Sequence, residues 1–326
     1  MHTSKIVAHI ALIGALFALG TAAHAQQSYP SRPVRYIIPF PPGGSTDPMG
    51  RMVAAKLTER MGQQVIVDNR PGGNTVIGTD VLSKATPDGH TIGWVGPAFF
   101  GTPSLIPNLP YDSLKDFVGV TTIAKQRSLL VLHPSVPASN LKEVIALLKA
   151  KPGQFTFGSS GIGTNVHLAG ELFKIVTGVD MLHVPYKGSG PLSTDLLAGR
   201  VHLSFQVPIT VIAFVRGGKL KPIAVSGETR LPPLPEVPTF AEAGLPGYGL
   251  TSVNGIIAPA KTPRQAINRI AAEMAVILAM PDTLEFLARQ GAEPVVSTPE
   301  QTDAVIKSEL ARYGKIIKQA GIKFQP

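Results

Sequence analysis

The stretch IIPFPPGGSTDPMGRM, Ile37 to Met52, joins the end of an apolar strand to the start of a helix through a glycine-rich loop. Consecutive glycines let backbone N–H groups point outward, and a helix N-terminus adds partial positive charge, so loops of this design bind anions. A nucleotide P-loop would have Lys after the glycines, and a dinucleotide loop would have a third glycine. Neither is present, so the stretch predicts a strand–loop–helix unit that holds a different anion.

Strand and helix patterns alternate outward from this loop. Asp47 is expected to cap a helix that has Pro48 at its first position and Gly62 just past its end. The βαβαβ order predicts a parallel sheet with right-handed crossovers, and it restarts after Phe117, which indicates two α/β units. The predicted strands are 34–39, 64–67, 90–95, 129–132, 155–157, 181–184, 201–207, 220–225 and 251–258, and further helices are predicted at 76–84, 141–150, 166–176, 192–198 and 209–215.

Three helices are predicted to close the chain. Thr262 and Thr298 are each followed by Pro and, three positions on, by Gln, a pattern typical of a capping box. A Pro-rich segment before them suggests a short helix at Phe240 and Ala241. We expect the chain to cross between the two units near residues 122–126 and 249–254, with a ligand cleft between them. This predicts domain 1 at residues 26–124 plus 252–326 and domain 2 at residues 125–251.

The N-terminus has the features of an export signal. Lys5 precedes the apolar run of residues 6–19, and Ala23-His24-Ala25 offers a small-x-small cleavage site. The run is shorter than the ~20 residues that a membrane-spanning helix needs. We therefore expect residues 1–25 to be a signal peptide, cleaved after Ala25, and the mature protein to be periplasmic.

Composition excludes several classes of function. The chain has no Cys, so it has no disulfide, thiolate nucleophile or thiolate metal site. The formal net charge is +9, but there is no long basic run and aromatic residues are only 6%, which argues against a nucleic-acid partner. The eight His form neither an HxxxH pair nor an HExxH motif. We therefore predict no metal site and no cofactor.

A second loop, FGSSGIGTNVH (residues 157–167), repeats the design of the first. It matches neither G-x-S-x-G nor G-x-G-x-x-G. One reading makes Ser159 or Ser160 a nucleophile with His167 as its base, which would be an exported hydrolase. The sequence offers no well-placed acid to orient that His, and we favour a packed, structural His167. Two helix N-termini without an acid/base set indicate a binding site with no catalytic residues, although an oxyanion hole would be built in the same way.

A third loop follows the strand predicted at 181–184. Tyr186 and Ser189 lie just past the strand end, where cleft residues are found. Asp195 lies on the next predicted helix. Its carboxylate either accepts hydrogen bonds from a ligand or an ordered water, or is a surface charge, and spacing alone favours neither.

Seven segments are informative when they are taken together: PFPPGGSTDPMGR, NRPGG, TPDGHT, GSSGIGTNVHLAGELF, HVPYKGSGPLSTDLLAGRV, LPPLPEVPTFAEAGLPGY and GIIAPAKTP. Jointly they resemble the Bug (TctC-like) family, the periplasmic solute receptors of tripartite tricarboxylate transporters. The resemblance covers essentially the whole mature chain in the family's order and spacing.

The resemblance implies a two-domain periplasmic-binding-protein fold of type II, which closes around a small carboxylate like a flytrap. It implies no catalytic residue. It also implies a monomeric receptor whose partners are the membrane subunits of the transporter. A receptor that feeds a sensor kinase is the alternative. The ligand-binding residues implied or inferred for this chain are Gly43, Gly44, Ser45, Thr46, Asp47, Ser159, Gly161, Gly163, Thr164, Asn165, Tyr186 and Asp195.

The sequence departs from the family pattern at two places. After Asn-Arg-Pro it has Gly72-Gly73-Asn74-Thr75, where the family usually has Gly-Ala-Gly-Gly. It also has Val253 where the family commonly has Trp before the GIIAPA strand. Both departures suggest an altered pocket. The hydroxyls of Ser45, Thr46, Ser159 and Thr164, with neighbouring backbone N–H groups, are expected to carry most of the carboxylate recognition.

Overall fold

The computed structural model describes residues 29–322, so the predicted signal peptide lies outside the described residues. Within them the chain forms two β-sheets with helices packed around each. The strands are β1 (Val34–Ile38), β2 (Val65–Asn69), β3 (Thr91–Val95), β4 (Phe117–Gln126), β5 (Leu129–Leu132), β6 (Thr156–Ser159), β7 (Leu182–Pro185), β8 (Leu203–Gln206), β9 (Lys221–Val225), β10 (Ser252–Pro259) and β11 (Ala292–Pro294). The helices are α1 (Asp47–Met61), α2 (Val76–Ser83), α3 (Pro97–Leu105), α4 (Leu141–Ala150), α5 (Asn165–Thr177), α6 (Ser189–Leu197), α7 (Ile212–Arg216), α8 (Arg264–Leu278), α9 (Pro281–Arg289) and α10 (Pro299–Gln319).

The first sheet has the strand order β11-β4-β10-β3-β1-β2. Its parallel part is β2-β1-β3, as the βαβαβ pattern predicted. Strand β10 returns late in the chain and inserts antiparallel between β3 and β4. The sheet is therefore mixed rather than wholly parallel. Because β10 is buried along its whole length, its residues form part of the core on both faces.

The second sheet has the order β7-β6-β8-β5-β9. Strands β7, β6 and β8 are parallel, whereas β5 runs antiparallel to both β8 and β9. All five strands are fully contained between residues 129 and 225, and every strand of the first sheet lies outside that interval. The two α/β units predicted from the sequence are thus present as two sheets.

The chain passes between the sheets at two adjacent places. The outward passage follows Gln126, and the return passage ends at Ser252, the residue that pairs with Gln126 in the β4–β10 ladder. Between them, the Ser128 hydroxyl donates to the Leu250 carbonyl oxygen at 3.3 Å. Two neighbouring connections of this kind allow the sheets to move relative to each other as rigid units.

Several local predictions were incomplete or wrong. Helix α3 and strands β4 and β11 were not predicted, and β4 runs through Gln126, so the first sheet extends over the predicted crossing. Residues near Phe240 form turns instead of a short helix. The capping box is confirmed at Thr298 but is absent at Thr262, since α8 has Pro263 as its N-cap and no side-chain cap. None of the helices in residues 29–322 is long and apolar enough to cross a membrane.

Candidate functional site

A cavity of about 270 Å³ lies between the two sheets and is lined from both sides. The first-sheet side contributes the loop after β1, the start of α3 and the ends of three strands, and the second-sheet side contributes the starts of α5 and α6. The lining residues are Phe40, Pro41, Pro42, Gly43, Gly44, Ser45, Thr46, Trp94, Pro97, Ala98, Gln126, Ser160, Thr164, Asn165, Val166, Lys187, Gly188, Ser189, Gly190, Pro191, Val207, Ser252 and Asn254.

Asp47 fixes the conformation of the loop after β1 through hydrogen bonds. Its carboxylate accepts from the Gly43 N–H at 3.1 Å, from Arg51 Nε at 2.8 Å and from Asn69 Nδ2 at 3.1 Å. Burial opposes ionisation, but these hydrogen bonds outweigh it and hold the pKa of Asp47 below its usual value. Asp47 is buried and does not line the cavity. It is also not the helix cap, because α1 begins at Asp47 itself. Its role is to fix the loop.

This arrangement leaves donors directed to the cleft. Gly43 has a left-handed φ of 75°, which turns the chain toward the start of α1. Within residues 29–322, the backbone N–H groups of Ser45 and Thr46 have no protein acceptor. Both residues line the cavity. Unsatisfied N–H groups at a helix start are suited to a carboxylate, because each helix N-terminus is equivalent to about half a positive charge.

The start of α5 repeats the arrangement from the second sheet. Thr164 is the N-cap, and its hydroxyl accepts from the His167 N–H at 3.4 Å and donates to the Gly161 carbonyl at 2.7 Å. The N–H groups of Asn165 and Val166 find no acceptor in the described part of the chain and lie at the cavity. The Thr164 hydroxyl is therefore occupied by the loop, and the free donors at this helix start are backbone groups.

Two more helix starts reach the same cavity, those of α3 at Pro97 and α6 at Ser189. Four helix N-termini thus converge on one space. Lys187, just before α6, is the one charged side chain among the lining residues, and it forms no ion pair within residues 29–322. Among the residues that the structure describes, no carboxylate lines the cavity. The cleft is consequently positive in potential and rich in N–H donors.

Three predicted site residues of the second loop do not line the cavity: Ser159, Gly161 and Gly163. The Ser159 hydroxyl is fully buried and bonds His183 Nε2 at 2.6 Å. The Gly163 N–H donates to His167 Nδ1 at 3.0 Å. These residues shape the loop that presents the α5 N-terminus.

The two histidines behind this loop are structural. The His167 and His183 rings stack at 3.9 Å between centroids, and Phe157 stacks on the same pair. Burial lowers the pKa of His167 to about 3 and that of His183 to about 4, with neighbouring positive charge adding to the effect. Both rings are therefore neutral near pH 7. His167 lines a separate cavity with Glu171 and Lys174, not the cleft.

Tyr186 and Asp195 also lie outside the cavity lining. The Tyr186 hydroxyl donates to Asp195 Oδ2 at 2.8 Å, and Arg200 Nη1 donates to Asp195 Oδ1 at 2.7 Å. These hydrogen bonds, that of Tyr186 first, lower the pKa of Asp195. The carboxylate thus pairs with Arg200 and braces the loop before α6.

The two departures from the family pattern do not reach the cavity either. Asn74 and Thr75 have left-handed φ values of 52° and 77°, and neither lines the cleft. Asn74 Nδ2 instead donates to Thr102 Oγ1 at 3.1 Å on α3. Val253 is absent from the lining although both of its neighbours are part of it. None of these three residues lines the cavity, so the altered pocket that the two departures suggested is not seen at these positions.

The sequence reasoning missed part of the lining: Trp94, Gln126, Asn254, Ser252 and Lys187. Trp94 lies one residue before the end of strand β3, close to where cleft residues are expected, and it is the only Trp of the chain, so that signal was available. Gln126 and Asn254 carried no motif, because only the β4–β10 pairing brings them together.

The described residues of this site can bind a ligand, but they do not form a set of catalytic groups. Ser160 Oγ donates to Thr164 Oγ1 at 3.3 Å, and no hydrogen bond joins Ser160 to His167 within residues 29–322. The same residues contain no cluster of His, Asp and Glu with the spacing of a metal site. Two sheets around a donor-lined cleft define the class of two-domain solute receptors.

Comparison with known proteins gives the family. The model of the tripartite tricarboxylate transporter family receptor, TctC, matches residues 49–322. The chain belongs to this family, whose members are receptors and not enzymes. The alternative of an exported hydrolase is therefore set aside, and the resemblance to the Bug and TctC proteins is confirmed.

Two relatives extend over nearly the whole chain. A protein from the tcbD–tcbE intergenic region of Pseudomonas sp. strain P51 is 40% identical over 323 residues, which is 96% of this chain and 93% of that protein. BugT of Bordetella pertussis is 35% identical over 328 residues and covers both chains fully.

Two solved structures share the two-domain arrangement. Rpa4515 of R. palustris with adipate has a TM-score of 0.85 at 35% identity and covers 90% of this chain and 99% of its own. MatC from Rhodopseudomonas palustris with bound malate has a TM-score of 0.78 at 27% identity and covers 89% of this chain and 100% of its own. The predicted periplasmic-binding-protein fold is confirmed.

Proposed function

We propose that this protein is a periplasmic receptor that captures a small carboxylate between its two sheets and does not convert it. The observation that carries the proposal is the convergence of four helix N-termini, with free N–H groups and Lys187, on a cavity without acidic lining. This arrangement suits a small anion such as a carboxylate, since backbone dipoles hold it without a fixed ion pair.

The cavity has the size of a site for a small ligand. Its volume of about 270 Å³ is close to the lower end of the ~300–1,000 Å³ that is usual for small-molecule pockets, which favours short acids such as dicarboxylates of four to six carbons. Rpa4515 with adipate and MatC with malate carry ligands of this size and chemistry, which supports the proposal for this chain.

The proposed ligand contacts divide into two groups. Ser45, Thr46 and Asn165 would contact the carboxylate, mainly through their free backbone N–H groups. Gly43 and Gly44 would lie against it, with N–H groups that already donate within the loop. The others would hold the loops in place: Asp47, Ser159, Gly161, Gly163 and Thr164 from behind, with Tyr186 and Asp195 reaching the ligand through water at most.

The transporter role completes the proposal. The partners would be the membrane subunits of a tripartite tricarboxylate transporter, and the receptor would act as a monomer. Its domains would be 26–124 with 252–326 and 125–251, and signal peptidase would cleave after Ala25. The intact mass of the protein from the periplasmic fraction tests the cleavage, because a mass that retains residues 1–25 would rule it out.

A direct binding experiment tests the function. Trp94 lines the cavity and is the only Trp, so its fluorescence reports ligand entry. Titration with succinate, malate, glutarate, adipate and aromatic acids should give a saturable change for at least one. The same ligand at ~100 times its Kd should stabilise the protein by about 2.7 kcal/mol. The matching diamide should do neither. Turnover of the bound acid, or equal binding of the diamide, would contradict the proposal.

A further inference from the structure

Three polar side chains of the first sheet face the cleft, and none belongs to the glycine-rich loops. Trp94 lies on β3, Gln126 ends β4, and Asn254 lies on β10. They are only 4%, 8% and 3% exposed, yet all three line the cavity. We refer to Trp94, Gln126 and Asn254 as the indole–amide strip.

The strip is contiguous. Asn254 Nδ2 donates to Gln126 Oε1 at 3.0 Å. On the other side, a Cβ placed on Gly96 would lie 2.8 Å from Asn254 Oδ1 and 3.1 Å from Trp94 Nε1. The indole nitrogen and the amide pair are therefore neighbours, and Gly96 is the residue that leaves room for both.

The strip presents unused hydrogen-bonding groups to the cleft. Among the residues the structure describes, Trp94 Nε1 has no protein acceptor, and it is not one of the sealed-off polar atoms. An indole N–H is only ever a donor, so its need for an acceptor does not depend on any choice of tautomer. The Gln126–Asn254 pair uses one NH2 group and one carbonyl oxygen internally in either amide orientation, which leaves the other NH2 group and the other oxygen for a ligand.

The strip runs away from the first helix start. Strands β3, β10 and β4 lie one, two and three strand spacings from β1, or ~5, ~10 and ~14 Å at ~4.8 Å each, so Trp94 is its nearest member and Gln126 its farthest. A ligand whose carboxylate occupies the Ser45 and Thr46 N–H groups would thus extend along the strip, past the indole toward the amide pair.

We propose that Trp94 is a specificity-determining residue that donates from Nε1 to an oxygen of a second carboxylate at the far end of the ligand. The inference rests on the proposed function and narrows it to dicarboxylates. The free amide donor of the Gln126–Asn254 pair binds the same carboxylate, and Lys187, on the other wall of the cavity, offsets its charge. A monocarboxylate of equal length would leave the strip's donors without partners, which disfavours it.

Calorimetric titration with matched acids tests this assignment. The probes are the α,ω-dicarboxylates from succinate to pimelate, each paired with the monocarboxylate of equal carbon number. The wild-type protein should prefer the best dicarboxylate over its partner. Trp94→Phe should lower the affinity for that dicarboxylate by ~10- to 150-fold, the range for losing one hydrogen bond to a charged group. The affinity for the monocarboxylate should not change.

A matched control is available beside the strip. Tyr36 packs against Trp94 with ring centroids 6.5 Å apart and does not line the cavity. Its buried hydroxyl has no hydrogen-bond partner within residues 29–322. Tyr36→Phe removes one polar atom next to the indole and should change neither affinity. If Trp94→Phe fails to fold, Gln126→Met, which removes the amide donor, should lower the same preference.

The outcomes separate this inference from the proposed function. Equal binding of dicarboxylate and monocarboxylate, or an unchanged preference in folded Trp94→Phe, would overturn the role of Trp94 and leave carboxylate binding intact. Binding of neither class of acid would overturn both.

Discussion

Several side chains around the cleft that look like ligand contacts have structural partners instead. Asp47 holds the Gly43 N–H, Ser159 bonds His183, and the Thr164 hydroxyl bonds Gly161 and caps α5. The groups left free are backbone N–H groups at helix starts. Recognition at the residue scale is therefore expected to depend little on hydroxyls and strongly on loop shape.

Thr164→Ala tests this distinction. Loss of the cap should cost about 1 kcal/mol of unfolding free energy. The affinity for carboxylate should fall by less than the ~10-fold expected for losing a hydrogen bond to a charged group, because the hydroxyl already donates to Gly161. Urea unfolding and calorimetric titration measure the two effects.

Thr298→Ala is the matched control, since Thr298 caps α10 through its side chain and does not line the cleft. The two variants should lose similar stability and bind alike. A large loss of affinity in Thr164→Ala alone would show that its hydroxyl contacts the ligand.

The stacked His167 and His183 predict acid sensitivity. Their pKa values in the folded protein are about 3 and about 4, against 6.5 for the unperturbed side chain. Between these folded-state pKa values and 6.5, the unfolded chain binds more protons than the folded protein. The free energy of unfolding should therefore fall as the pH decreases below 6.5, by about 1.4 kcal/mol per pH unit for each excess proton. Glu171 opposes this, because burial raises its pKa. Urea midpoints at pH 7 and pH 5 measure the change, and equal midpoints would contradict a buried neutral pair.

At the scale of elements, local signals predicted most boundaries. The glycines at positions 62 and 178 end α1 and α5 in the left-handed conformation, and β5 and α4 occur at the predicted residues. Helix α3 was missed because it contains Pro103 and has no polar face, and β11 because it has only three residues. The glycine-rich loops were also predicted, because the residues that define them are consecutive in the sequence.

The assembly of the indole–amide strip could not be predicted from local patterns. Trp94, Gln126 and Asn254 are far apart in sequence and meet because β10 inserts between β3 and β4. A late strand that returns to an early sheet leaves no local pattern for its position. The site was therefore predictable where one loop carries it and not where strand order assembles it.

Gly163→Ala tests how the α5 loop meets the first sheet. Gly163 has a φ of 77°, and a Cβ there would lie 2.4 Å from Leu105 Cδ1 on α3. Overpacking of ~1–3 kcal/mol at this contact should oppose closure and weaken ligand binding by ~5- to 150-fold, as titration would show.

Gly178→Ala is the control, because Gly178 has a similar φ of 69° and nothing lies within 4 Å of a Cβ there. Both variants bear the cost of a left-handed Ala, about 1–2 kcal/mol. Equal affinities for the two variants would show that the Gly163–Leu105 contact is not part of the ligand-bound state.

At the scale of the whole molecule, the cleft is formed by two sheets joined through adjacent chain segments. Arg312 of α10 donates to the Thr251 carbonyl at 2.9 Å and anchors the return segment to the first sheet. The outward segment is anchored to the second sheet, since the Ser128 N–H donates to Ser226 Oγ at 2.7 Å. Any motion between the sheets is therefore expected to occur at this short hinge.

Ligand binding should therefore close the molecule. Ligand-free protein is expected to open at the hinge and separate Gly163 from Leu105, and saturation should restore the contact. Small-angle scattering should show a smaller radius of gyration with a saturating carboxylate than without it. An unchanged radius would mean that the cleft is closed before the ligand arrives.

The central claim is that helix N-termini hold the carboxylate, and the pH dependence of its affinity tests this most directly. Backbone dipoles do not titrate, and simple carboxylic acids are ionised above about pH 6. The dissociation constant of the best carboxylate, measured by calorimetry at pH 6.0, 7.0 and 8.0 at constant ionic strength, should stay constant within about twofold. An affinity that falls tenfold or more as the pH rises through 6.5 would show that an imidazolium holds the anion and would contradict the account.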